Sequence, residues 1–118
     1  MLTEKQTKKI FLDTKALLQG HFILSSGLHS EYYLQCAKLL MHPKYSESVC
    51  KSLSKKIRKV FKKIDLIVAP AMGGIIVGYE VARHLKLPSV FTERFKANEI
   101  PSKLKSIPAI KPGSRNLI

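Results

Sequence analysis

Two adjacent glycines, an arginine twenty residues further on, and a serine pair followed by two tyrosines are the residues of this chain whose types and spacing suit chemistry. Leu66-Ile67-Val68-Ala69 is a short apolar run, the pattern of a strand covered on both faces. Pro70-Ala71-Met72-Gly73-Gly74 then reads as a turn, and Ile75 to Arg83 as a helix. Glycines at 73 and 74 leave room for a ligand to approach the main chain. The free N–H groups that open a helix favour an anion such as phosphate. The turn would lie at the carboxyl end of a strand, where open α/β sheets bind ligands.

The element that must position a partner for this turn comes next. Pro88 is expected to break the helix, and Ser89-Val90-Phe91-Thr92 reads as a second strand. Leu66 to Thr92 has the length of one βαβ unit, whose crossover is right-handed and whose strands run parallel. Arg94 is thereby expected on the sheet edge that carries the glycine turn, with a guanidinium able to fork onto two phosphate oxygens. A bare tight turn and a solvated arginine at a strand end are the alternatives that these residues alone leave open.

The rest of the chain frames that unit. Thr3-Glu4-Lys5-Gln6 has the form of a capping box. Ile10, Phe11, Leu17 and Leu18 recur at helical spacing, so one helix is expected up to a stop at Gly20. His21-Phe22-Ile23-Leu24 reads as a strand, Ser25-Ser26-Gly27 as a turn, and Tyr32-Tyr33-Leu34-Gln35 as extended chain. Pro43 precedes a helix over about residues 45–63, with Val49, Leu53, Ile57, Val60, Phe61 and Ile64 as its buried stripe. Residues 95–113 carry Lys96, Lys103, Lys105, Lys111 and three prolines with little periodicity, and read as a long mobile loop. Residues 114–118 look like the start of another strand.

Length and composition bound the answer. With 118 residues the chain supports one domain. No stretch approaches the roughly 20 apolar residues of a membrane span. Met1-Leu2-Thr3-Glu4-Lys5 lacks an apolar signal core, so a cytoplasmic protein without membrane attachment is expected. Cys36 and Cys50 fit no zinc spacing and are expected to be reduced, partly buried thiols. The formal charge of +13 raises nucleic-acid binding. It is ranked lower because lysines dominate over the four arginines, are spread along the chain, and accompany no nucleic-acid motif.

Three segments together resemble the orotate phosphoribosyltransferases of pyrimidine synthesis: Gly20 to Ser30 with Tyr32 to Ala37, then Ile67 to Ile75 with Tyr79 to Arg83, then Val90 to Arg94. The resemblance implies an α/β, type I phosphoribosyltransferase fold, incomplete in this sequence, with a parallel sheet, flanking helices and an N-terminal hood region. It implies transfer of ribose 5-phosphate from phosphoribosyl pyrophosphate (PRPP) to N1 of orotate, with Mg²⁺ and release of pyrophosphate. By the same resemblance Ser25, Ser26, Gly27, Tyr32 and Tyr33 line the orotate pocket. Met72, Gly73 and Gly74 present N–H groups to the pyrophosphate. Arg94 contacts PRPP from the neighbouring subunit of a homodimer. Lys103 and Lys105, in the family's mobile catalytic loop, are the candidates for stabilising the leaving group. No residue is assigned as a metal ligand. One partial domain is expected: residues 1–40 the N-terminal helix and orotate-side segment, 41–94 a helix plus βαβ core, 95–113 the mobile basic loop, and 114–118 an uncompleted strand.

The sequence departs from the family in two places. Some members have a lysine where Met72 stands. Family members also continue into an acidic pair followed by Thr, Gly and Ser that holds the ribose and 5′-phosphate of PRPP. None of the eight acidic residues here forms an adjacent pair or precedes such a run. The expectation is therefore an orotate phosphoribosyltransferase-like protein with impaired activity. The alternatives are one half of a two-chain enzyme, completed by a C-terminal chain, and a non-catalytic basic nucleotide- or nucleic-acid-binding protein.

Overall fold

The computed structural model describes residues 1–94 and the strand backbone at residues 116–117. Helix α1 (Glu4–Asp13) begins as its capping box predicts. The Gln6 N–H donates to Thr3 Oγ1 at 3.1 Å, and the Thr3 N–H donates to Gln6 Oε1 at 2.9 Å. It ends earlier than expected. Thr14 Oγ1 donates to the Ile10 carbonyl at 2.8 Å, and Lys15 takes φ 60°, which a right-handed helix cannot accommodate. Leu17, Leu18 and Gly20, expected as the end of that helix, lie instead in β1 (Leu17–Ile23). The cause is tertiary pairing: Leu17 faces Leu34 and Leu18 faces Tyr33 of β2 (His29–Leu34), in antiparallel register. The turn between these strands falls at Ser25-Ser26-Gly27 as expected, with Gly27 at φ 85°.

Helix α2 (Ala37–Leu40) leads to α3 (Pro43–Val60), which has Pro43 inside its first turn rather than ahead of it. The buried stripe of α3 also differs from expectation. Leu53, Val60 and Phe61 are 39%, 73% and 47% exposed, whereas Ser46, Cys50, Ser52 and Ser54 are buried. Small side chains let α3 pack closely on α4 (Ile75–Leu85), and Ser54 Oγ donates both to the Cys50 carbonyl (2.7 Å) and across to the Val81 carbonyl (3.3 Å). Arg58 donates to the Leu85 carbonyl at 3.1 Å, so this arginine caps the carboxyl end of α4. The expectation of two partly buried thiols is corrected as well: both cysteines are free, but Cys36 is exposed and Cys50 fully buried.

Helix α4 joins β3 (Leu66–Pro70) to β4 (Ser89–Thr92), and the strands pair in parallel from Ile67↔Ser89 to Pro70↔Thr92. The βαβ unit read from the sequence is therefore present. Its helix stops at Lys86, in the left-handed region at φ 59°, before Pro88 is reached. Ile67, Val68 and Ala69 are buried, as the apolar run predicts. Strand β5 (Asn116–Leu117) adds to the other side of β3, opposite Leu66 and Ile67, giving the order β4-β3-β5. The core is small: Cys50, Ile64, Ile67, Val81, Ala82 and Leu85. Among the described residues no helix is long and apolar enough to cross a membrane.

Candidate active site

Three contacts fix the turn after β3. The Ala71 N–H donates to the Thr92 carbonyl at 2.7 Å, which ties the turn to the end of β4. A Cβ on Gly74 would lie 2.7 Å from the Pro70 carbonyl oxygen and 2.8 Å from Pro70 Cδ. A Cβ on Gly78 would lie 2.6 Å from that of Ala69. Glycine at both positions lets α4 settle onto β3 closely enough to hold its first turn against the strand end. Gly73 is different, because a Cβ there would meet nothing within 4 Å. It faces open space, as a ligand site requires.

The N–H groups divide in the same way. That of Gly74 is taken by the Pro70 carbonyl at 2.9 Å, and that of Ile75 by the Met72 carbonyl at 3.1 Å. Those of Met72 and Gly73 have no partner among the described residues. Of the three donors expected for an anion, the turn thus leaves two unengaged. The Ala71–Met72 peptide is cis.

Ala71, Met72, Glu93 and Arg94 line one shallow depression of about 380 Å³. The parallel register brings this about, since it carries Glu93 and Arg94 past the end of β4 to the level of the turn. Arg94 is exposed and forms no ion pair among the described residues. A guanidinium beside unengaged N–H groups is the kind of donor set that suits an anion. Glu93, which in the sequence is no more than a residue at a strand end, places a carboxylate there. It can accept hydrogen bonds from hydroxyl groups or hold a cation carried on phosphates. A separate groove of about 290 Å³ between α3, β3 and α4 is lined by apolar residues such as Leu53, Ile57 and Val77, and offers no chemistry.

The second expected group lies on the hairpin. Ser25, Ser26 and Gly27 are exposed at its turn, and Tyr32 and Tyr33 are partly exposed on β2, with the Tyr33 ring 5.6 Å from that of Phe22. The structure therefore brings Met72 and Arg94 to one depression, with Gly73 and Gly74 next along the same turn and Gly74 on the apolar groove, and leaves Ser25, Ser26, Gly27, Tyr32 and Tyr33 on the hairpin. Among the described residues no hydrogen bond or ion pair of the hairpin reaches the turn. Lys103 and Lys105 lie outside the described residues. Among the described residues no group of three or more His, Cys, Asp or Glu is placed to hold a metal ion.

No protein-family model matches the chain. Individual relatives do. An orotate phosphoribosyltransferase of Helicobacter pylori (strain Shi470) is 51% identical over 87 residues, covering 74% of this chain and 43% of that protein. One of Carboxydothermus hydrogenoformans is 51% identical over 86 residues, covering 73% and 45%. The chain spans about half the length of the curated relatives it matches. The crystal structure of orotate phosphoribosyltransferase from Aeropyrum pernix is similar with a TM-score of 0.64 at 24% identity, over 75% of this chain and 50% of that one. This likeness bears on the fold, which is that of the type I phosphoribosyltransferases, present in part. Over its N-terminal three quarters, the chain belongs to the orotate phosphoribosyltransferase family.

Proposed function

We propose that this chain supplies the pyrophosphate turn and the base-side hairpin of an orotate phosphoribosyltransferase, a pentosyltransferase acting in pyrimidine biosynthesis. The reaction is transfer of ribose 5-phosphate from PRPP to N1 of orotate. The observation that supports this reading is the depression that Met72 shares with Arg94, beside a turn whose Met72 and Gly73 N–H groups are unengaged among the described residues. Displacement of pyrophosphate from a sugar carbon asks little covalent chemistry of a protein. It asks for donors and cations aimed at the charge that builds on the leaving group. Met72, Gly73 and Arg94 provide these, with Gly74 setting the turn. Lys103 and Lys105 would add cations as the departing group gains charge. Mg²⁺ belongs to this reading as an ion carried on the diphosphate of PRPP, and so as part of the substrate. Ser25, Ser26, Gly27, Tyr32 and Tyr33 would receive the orotate ring, and a second subunit would bring its own Arg94 to the PRPP.

The ribose and 5′-phosphate need residues that are not among these 118. One observation favours their entry beside β5: this strand pairs only with Leu66 and Ile67, which leaves the edge of Val68 to Pro70 open on that side among the described residues. A strand continuing β5, on this chain or a complementing one, would pair there.

The test is direct. Pyrophosphate and Mg²⁺–PRPP binding should be measured on the protein and on Arg94→Ala, with orotate consumption followed in parallel. Binding that falls about 10- to 100-fold in Arg94→Ala is expected, from the loss of charge-assisted hydrogen bonds. Turnover is expected only when a polypeptide bearing the family's acidic loop is present. Equal binding by both proteins overturns the assignment of the anion site. Duplex DNA binding that collapses with salt, without pyrophosphate binding, would instead support the basic nucleic-acid-binding alternative.

A further inference from the structure

The hairpin carries a feature to which the proposed function gives no role. His21 Nε2 and His29 Nδ1 lie 2.8 Å apart, with ring centroids separated by 4.8 Å and ring planes at 83°. The strand register places them. Ile23 faces His29 directly, so His21, two residues back on β1, is its diagonal neighbour on the same face of the hairpin. The register slips between Gln19 and Phe22, so Gly20 and His21 together oppose Glu31. This is a bulge of the kind that re-aims a side chain. Both rings are exposed, and apart from their mutual hydrogen bond neither is held by another hydrogen bond or ion pair among the described residues.

We infer that His21 and His29 form a two-histidine site for a borderline divalent transition ion such as Zn²⁺ or Ni²⁺. Imidazole nitrogens bind such ions at about 2.0–2.1 Å, so two donors on one ion stand about 2.9 Å apart at octahedral angles and about 3.3 Å apart at tetrahedral ones. The two nitrogens, 2.8 Å apart, stand close to the first spacing and within a small movement of the second. The ring that donates in the hydrogen bond moves its proton to its other nitrogen through water, a modest rotation of the two solvent-exposed rings then turns both lone pairs onto a common point, and water completes the coordination. The two ligands are eight residues apart in sequence and sit on opposite strands, so the ion would cross-link β1 to β2 just outside the Ser25-Ser26-Gly27 turn. The site takes a free aqueous cation, is distinct from the anion depression, and stands whether or not the chain acts on PRPP.

The experiment uses untagged protein carrying Cys36→Ser, which removes the exposed thiol as a competing ligand. Zn²⁺ binding is measured by titration calorimetry, and amide hydrogen exchange is followed with and without Zn²⁺. One Zn²⁺ per chain is expected. His21→Ala and His29→Ala should each weaken binding about tenfold or more, because the second donor acts at high effective concentration only while the first is present. Zn²⁺ should slow exchange at β1 and β2 in the parent and in neither variant. Binding of unchanged strength in both variants, or binding weaker than about 1 mM in the parent, overturns the inference. Because neither orotate nor PRPP enters the measurement, its failure leaves the proposed function standing, and the reverse holds too.

Discussion

The glycine turn and the hairpin are the two halves of the candidate site, and they are held by different means. The turn is fixed from beneath. Gly78 lies against Ala69 and Gly74 against Pro70, closely enough that a methyl group at either would collide. Below them lies the buried cluster of Ile67, Val81, Ala82 and Leu85. The hairpin has no such foundation. Ile23, Leu28, Tyr32, Tyr33 and Leu34 are all more than two-fifths exposed, and β1 is held to β2 mainly by the strand ladder. Leaving-group chemistry needs donors already in place, and a packed helix start provides that. A binding surface for a flat base can instead be built on an element that opens locally.

The largest expected effect tests the packed half. Gly78→Ala puts a Cβ 2.6 Å from that of Ala69. Overpacking of this kind costs about 1–3 kcal/mol or more, against about 1 kcal/mol returned in helix propensity. With the near side of the contact being another Cβ on a buried strand, a net loss of about 1–2 kcal/mol in urea unfolding is expected. Adding Ala69→Gly should recover part of it, because the two changes share one contact. Simple additivity would show that α4 is not seated on β3 in this way.

The hairpin should respond locally. Gly27 sits at φ 85°, and a Cβ there would meet nothing within 4 Å. Gly27→Ala is therefore penalised by backbone conformation rather than by a clash, at about 1 kcal/mol. Hydrogen exchange should show protection lost in β1 and β2 and retained in β3 and α4. Loss spread evenly over both would mean that the two regions unfold as one.

These contrasts were unevenly legible in the sequence. The capping box, the Ser25-Ser26-Gly27 turn and the βαβ unit could be read because each rests on local residue chemistry or on a clear change of period. The end of α1 could not. Leu17 and Leu18 suit a helix as well as a strand, and pairing with Leu34 and Tyr33 decides between them. The buried face of α3 was hidden for a related reason. Ser46, Cys50, Ser52 and Ser54 are buried because they are small, which a hydrophobicity pattern does not register. In the site, the sequence pointed to Gly73, Gly74 and Arg94 on one edge. It did not show that the Gly74 N–H would be taken by Pro70, nor that Gly78 and Ala69 would meet, since both depend on how closely the helix approaches the strand.

Gly73→Ala sharpens the difference within the turn itself. Its Cβ meets nothing, so stability should change by no more than about 0.5 kcal/mol. Pyrophosphate binding should still weaken, because the methyl group enters the space from which a ligand approaches the main chain. Measured beside Gly74→Ala, which strains Pro70 and should lose stability first, it separates the glycine needed for packing from the one kept clear for the ligand. Unaltered pyrophosphate affinity in Gly73→Ala would place the anion elsewhere.

The two cysteines allow the comparison to be read without touching the site. Cys36 follows the hairpin and is exposed, whereas Cys50 lies in the core under α4. Burial raises the Cys50 thiol above its ordinary value of 9.0, the nearby Ser46 hydroxyl only partly opposes this, and the Glu80 charge adds to the rise. A thiol whose folded pKa is raised binds its proton more tightly in the native state. Its contribution to stability is therefore complete below the unfolded value and is lost as pH climbs from that value through the folded one. Unfolding free energy should accordingly fall with rising pH above about 9, and Cys50→Ala should flatten that slope even though it lowers stability at neutral pH. A thiol reagent under native conditions should modify Cys36 promptly and Cys50 only at the rate at which the core opens. Equal rates at the two positions would mean that the core beneath the turn opens as readily as the hairpin, and the distinction between the two halves of the site would not hold.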